Sequence, residues 1–178
     1  MRLQSFLRDE PVAAAAIVVA LGAMATLMGA WFFQYVLGYD PCPLCLQQRI
    51  PYYITIPMAV IVAAGALKGS PRSWLAAGLV LIALAMLIGA GLGIYHSGVE
   101  WKWWPGPTSC GTVSELGSGN LLERVQTTRI VRCDEAAWRF LGISLAGYNV
   151  LIALALAGIA AMGARKAVTA YGSSSVSQ

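Results

Sequence analysis

Cys42-Pro43-Leu44-Cys45 sets two thiols three residues apart at the start of an apolar run. Residues i and i+3 share one side of a helix start about 5 Å apart, which suits a disulfide. Pro43 fits just inside a first helical turn, where its missing N–H would have had no partner. A helix beginning there aims free N–H groups and a partial positive charge at the sulfurs, which favours the reactive thiolate. Arg49 follows Cys45 by four residues. Helical side chains lean toward the N-terminus, so its guanidinium can reach the level of the Cys45 sulfur. A cation in or beside a membrane span is costly and is read as functional by default. The plainer alternative is an arginine that snorkels to lipid headgroups.

Two more cysteines complete an even count of four. Cys110 follows Pro105-Gly106-Pro107-Thr108-Ser109 and precedes Gly111, a flexible and exposed setting. Cys133 lies between Arg132 and Asp134. Four cysteines allow three pairings, and sequence does not choose among them. Two disulfides within reach of each other can pass oxidising equivalents by thiolate exchange. A static staple is the bland reading of the second pair, and a metal site built from all four is the competing chemistry. Zinc sites usually show two close pairs, and here only one pair is close, so no metal is assigned. The single histidine, His96, stands where a span leaves the membrane. By position alone it reads as a solvated interfacial residue.

Those residues need a frame, and composition supplies it. The chain has 178 residues, 58% hydrophobic and only 11% charged, against about 25% charged in a soluble domain. The net charge of +4 forms no basic run interleaved with aromatics, so no nucleic-acid partner is indicated. Long apolar runs predict four membrane-spanning helices over about 12–37, 46–67, 73–95 and 143–162. The expected fold is an all-α, four-helix antiparallel transmembrane bundle in one domain, 1–166. It has a short loop before the second span, a long loop over 96–142, and an unstructured tail over 167–178. Pro51 and Pro57 predict a kinked or tilted second span. Trp101, Trp103 and Trp104 read as an interfacial anchor. Leu116, Leu121, Leu122 and Val125 suggest a short helix on the membrane surface. No acidic residue falls in the four predicted spans, which argues against a proton-coupled transporter.

Four spans put both termini on one side and all four cysteines on the other. Arg2, Arg8, Lys68, Arg72, Arg165 and Lys166 hug the spans on the terminal side, while five of the six opposing cations are diluted along the long loop. That density predicts cytoplasmic termini. The cysteines then face the oxidising compartment, where disulfides persist.

Pro41-Cys42-Pro43-Leu44-Cys45-Leu46-Gln47-Gln48-Arg49 resembles the signature of the disulfide bond formation protein B family, DsbB. Cys133-Asp134-Glu135-Ala136-Ala137-Trp138-Arg139-Phe140-Leu141-Gly142 resembles that family's segment entering the last span. The resemblance covers about Val12 to Met162. It implies a bacterial inner-membrane thiol–quinone oxidoreductase that reoxidises a DsbA-like periplasmic thioredoxin-fold dithiol oxidase. By that resemblance the partner attacks at Cys110 and Cys133 is released. Cys133 passes electrons to Cys42, and Cys45 faces the quinone, ubiquinone or menaquinone. Arg49 and His96 are the implied quinone-binding residues. A vitamin K epoxide reductase-like enzyme is the runner-up, although its C-x-x-C usually lies late in the bundle. A structural tetraspan protein with static disulfides is the non-enzymatic alternative.

Overall fold

The computed structural model describes residues 2–107, 129–130 and 132–175. Helix α1 (Arg2–Trp31) continues into a π-helical turn, Phe32–Val36. Gly38, at φ +70°, takes the left-handed conformation that turns the chain into β1 (Tyr39–Asp40). Helix α2 (Pro43–Leu67) and helix α3 (Arg72–Glu100) follow, joined by a tight turn. β1 pairs in parallel with β2 (Arg129–Ile130). β3 (Arg139–Phe140) and β4 (Ile143–Ser144) form a small hairpin that leads into α4 (Leu145–Ser175).

Among the described residues, four helical segments are long and apolar enough to cross a membrane: Pro11–Val36, Pro43–Leu67, Arg72–Glu100 and Leu145–Thr169. Even the shortest, at 25 residues, exceeds the roughly 30 Å hydrocarbon thickness at 1.5 Å per residue. The chain is an all-α four-helix membrane bundle. α1 packs on α2, α2 on α3, α3 on α4, and α4 closes the ring against α1. Alanines at 16, 59, 63 and 160 let the helices approach around Leu79 and Ile82. Tyr52, Met86 and Leu156 fill the next layer. Large apolar side chains such as Leu21, Ile61 and Ile88 point outward, as lipid contact requires. Gly89 leaves room for the Pro51 ring, whose Cβ lies 3.3 Å from where a Cβ at position 89 would sit. α2 is one unbroken helix through Pro51 and Pro57.

The helix ends depart from the sequence expectation in two places. α3 does not stop at Tyr95 but runs to Glu100, so the long loop starts at Trp101 and a spanning helix does carry an acidic residue. Trp104 closes this end. Its Nε1 donates to the Tyr95 carbonyl at 2.9 Å, its ring stacks on Tyr95, and its edge lies against Gly98, leaving no space for a larger residue. The tryptophan group therefore clasps the helix end as well as presenting Trp101 and Trp103 outward. α4 runs past Met162 to Ser175, so residues 167–175 are helical rather than an unstructured tail. Propagation costs little once a helix exists, and Ala167 is buried against the core. The expected surface helix around Leu116 to Val125 lies outside the described residues.

Candidate functional site at the loop end of the bundle

Cys42 is the N-cap of α2, with φ −67° and ψ 163°. Its sulfur accepts the Cys45 backbone N–H at 3.3 Å, and Pro43 opens the helix. The cap geometry turns both sulfurs to one side, 2.9 Å apart, as free thiols. His96 Nε2, from the end of α3, lies 3.7 Å from the Cys42 sulfur. Cys42 is thus the sulfur on which the Cys45 backbone N–H and the His96 ring converge. The Cys45 thiol beside it holds its pKa well below the ordinary thiol range; burial opposes this, and His96 adds to it.

Cys133 is fully buried and disulfide-bonded. It packs in one cluster with Cys42, Leu44 and Val99, and Cys45 abuts them. Three of the four sequence-selected cysteines therefore meet at one end of the bundle. Cys110 lies outside the described residues.

A cavity of about 440 Å³ opens beside Cys45. Its polar wall holds Cys45, Gln48, Arg49, His96 and Glu100, and its apolar wall includes Leu27, Phe33 and Ile152. The volume lies within the range of small-molecule sites, about 300–1,000 Å³. Arg49 is fixed by Gln34, whose Oε1 accepts from Nη1 at 2.6 Å. Gln34 comes from the π-helical turn, which re-aims side chains at the end of α1. Glu100 sits 3.9 Å from His96 Nε2 and bonds Ser144. Its Oε2 is buried without a partner among the described residues, and the residue lines the cavity. An orphaned buried oxygen of this kind suits a ligand that brings its own polar atom.

Five polar residues escaped the sequence reading: Gln34, Gln48, Tyr52, Glu100 and Asn149. Gln48 Nε2 meets His96 Nδ1 at 2.7 Å, Asn149 Nδ2 donates to Gln48 Oε1 at 2.7 Å, and Tyr52 OH donates to Asn149 Oδ1 at 2.6 Å. The signal of Gln34, Gln48 and Asn149 was available as amides inside otherwise apolar helices, where an unpaired polar group is costly. The Cys42, Cys45 and His96 donor atoms also fall within 4.8 Å of one another. Such a cluster can hold a soft cation, although redox thiol pairs share it.

The profile of the family described as disulfide bond formation protein DsbB matches residues 13–163. The disulfide bond formation protein B of Xanthomonas oryzae pv. oryzae is 34% identical over 146 residues, covering 77% of this chain and 81% of its own. Its counterpart from a Polaromonas species is 30% identical over 152 residues, covering 80% and 85%. That of Xylella fastidiosa is 32% identical over 136 residues, covering 73% and 78%. No solved structure matches the chain. A thiol pair at a helix start, a buried disulfide against it and four spanning helices agree with that profile: the chain belongs to the DsbB family, as a multi-pass bacterial membrane protein and a disulfide-forming oxidoreductase.

Proposed function

We propose that this chain reoxidises a DsbA-like periplasmic dithiol oxidase and passes the electrons to a membrane quinone, ubiquinone or menaquinone. The observation that supports this best is the meeting of three chemistries at one end of the bundle. The Cys42–Cys45 pair has a buried disulfide cysteine, Cys133, on one side and an apolar cavity with cationic Arg49 on the other.

The exchange runs on this chain's own sulfurs. A thiolate of the reduced partner attacks Cys110 of a Cys110–Cys133 disulfide. The partner–Cys110 bond forms and Cys133 leaves as a thiolate. Cys133 attacks Cys42 of the oxidised Cys42–Cys45 pair, and Cys45 leaves with the electron pair. The partner's second thiol then resolves the mixed disulfide, and Cys110 displaces Cys42 to restore the Cys110–Cys133 bond. The net result is one oxidised partner and one reduced Cys42–Cys45 pair. When bound, a quinone supplies a two-electron acceptor. Arg49 and His96 are the residues that would hold it, with Cys45 in the same wall. The arginine provides fixed positive charge and the apolar lining excludes water. The cysteine end faces the periplasm and both termini the cytoplasm, by the density of Lys and Arg flanking the spans.

The test is turnover in lipid nanodiscs with a reduced thioredoxin-fold dithiol protein and a short-chain quinone, followed by quinone absorbance. Catalytic loss of absorbance that disappears in Cys45→Ala supports the proposal. No turnover with either ubiquinone or menaquinone analogues would leave a protein with static disulfides.

A further inference from the structure

The hydrogen bonds across the bundle form a chain with a direction. α2 and α4 are not neighbours in the ring of packed helices, yet Tyr52 and Gln48 of α2 both bond Asn149 of α4. The chain continues from Gln48 to His96 of α3, and from His96 to Cys42.

Amide oxygens and nitrogens are told apart by what surrounds them. Two opposite orders would satisfy the three side-chain bonds alone. The Leu44 carbonyl decides between them. It lies 3.4 Å from Gln48 Nε2 and can only accept. The Gln48 nitrogen must therefore occupy that position, which also faces His96 Nδ1. With nitrogen there, Gln48 Oε1 accepts from Asn149 Nδ2, and Asn149 Oδ1 accepts from the Tyr52 hydroxyl. At the other end Nδ1 of His96 is an acceptor, so the proton of the neutral ring sits on Nε2. That N–H faces the Cys42 sulfur at 3.7 Å, with the Glu100 carboxylate 3.9 Å away.

We propose that Tyr52, Asn149 and Gln48 are positioning residues that hold His96 as its Nε2–H tautomer and so make it a hydrogen-bond donor to the Cys42 sulfur. The reverse tautomer would turn a lone pair toward that sulfur and serve as a proton acceptor instead. A donor stabilises the Cys42 thiolate, the form in which this sulfur leaves when Cys110 displaces it. The inference concerns the dithiol itself and does not depend on which acceptor takes the electrons.

His96 is the only histidine in the chain, so ¹⁵N-histidine labelling yields a single pair of ring nitrogens. In the reduced wild-type protein in nanodiscs, at a pH where the ring is neutral, the spectrum should show Nε2 protonated and Nδ1 bare. A protonated Nδ1 with a bare Nε2 would overturn the proposal without any variant. Tyr52→Phe removes one oxygen, and Asn149→Leu and Gln48→Leu cut the chain progressively closer to the ring. Each should mix the two tautomers, with the largest mixing in Gln48→Leu, whose Cys42 acid-dissociation constant should fall by roughly tenfold, as for loss of one charge-assisted hydrogen bond. Variants that keep the α-helical circular dichroism of wild type and an unmixed Nε2–H ring would show that the three residues only pack.

Discussion

The sulfur of Cys42 accepts the backbone N–H of Cys45 at 3.3 Å, so one redox thiol is also the N-cap of α2. Removing Cys42 should therefore do two separable things. Cys42→Ala loses cap and chemistry, with a cost to stability of about 1 kcal/mol. Cys42→Ser keeps a capping oxygen and loses only the exchange. Thermal unfolding in detergent should rank wild type near Cys42→Ser and above Cys42→Ala, while both variants show no partner-driven quinone reduction. Equal melting temperatures for the two would remove the capping role.

The same sulfur should hold its charge at acidic pH. Its pKa is pushed down to about 5, chiefly by the Cys45 thiol, from about 8.5 for a free cysteine. The folded pKa is the lower one, so the thiolate's contribution to the reduced fold is full above the ordinary thiol range and is lost as pH falls toward 5. Thiolate absorbance of the reduced protein, in a Cys110→Ser, Cys133→Ser background, should show about one equivalent at pH 7. No thiolate below pH 8 would contradict the geometry.

Arg49 Nη1 donates to Gln34 Oε1 at 2.6 Å, which ties the cation in the cavity wall to the end of α1. Arg49→Ala should weaken the apparent quinone affinity by roughly tenfold or more, the range of a hydrogen bond to a charged group. Mixed-disulfide formation with the partner should stay near normal. Gln34→Leu should weaken affinity less, by freeing the guanidinium without removing it. Lysine at position 49 should rescue in part, because it offers charge without the planar fork. Steady-state kinetics at varied quinone separates these outcomes. Unchanged quinone kinetics in Arg49→Ala would leave this residue as a headgroup anchor.

Cys133 is buried against Cys42, so it is placed to carry the exchange inward. Cys133→Ala leaves Cys110 as a lone thiol, whose thiolate should attack the disulfide of oxidised partner and hold it as a mixed disulfide while the partner's second sulfur leaves as a thiol, visible as a shifted band on non-reducing gels and abolished by Cys110→Ser. An adduct on Cys45 would reverse the order of the relay.

The close grouping of Cys42, Cys45 and His96 also makes a sharp test against metal chemistry. Chelator treatment followed by dialysis should leave exchange and turnover unchanged. Loss of activity restored by zinc alone would make the cluster a metal centre.

Composition and apolar run length were enough to determine a four-helix membrane bundle, because a lipid solvent forces every backbone polar group into long helices. Proline after Cys42 and the three-residue spacing likewise marked a helix start with two sulfurs on it. The sequence could not show where those helices end. α3 runs on to Glu100, and that extra turn brings a carboxyl into the cavity wall beside His96. Nor could it show which polar residues meet. Tyr52 and Asn149 are 97 positions apart, and their bond exists only because four helices close into a ring with α2 and α4 facing across it. His96 read alone as a solvated interfacial residue; in the fold it is buried and bonded on both ring nitrogens. Side-chain chemistry is local and legible in one dimension, whereas the partner that fixes a proton or an amide orientation is chosen by packing between distant segments.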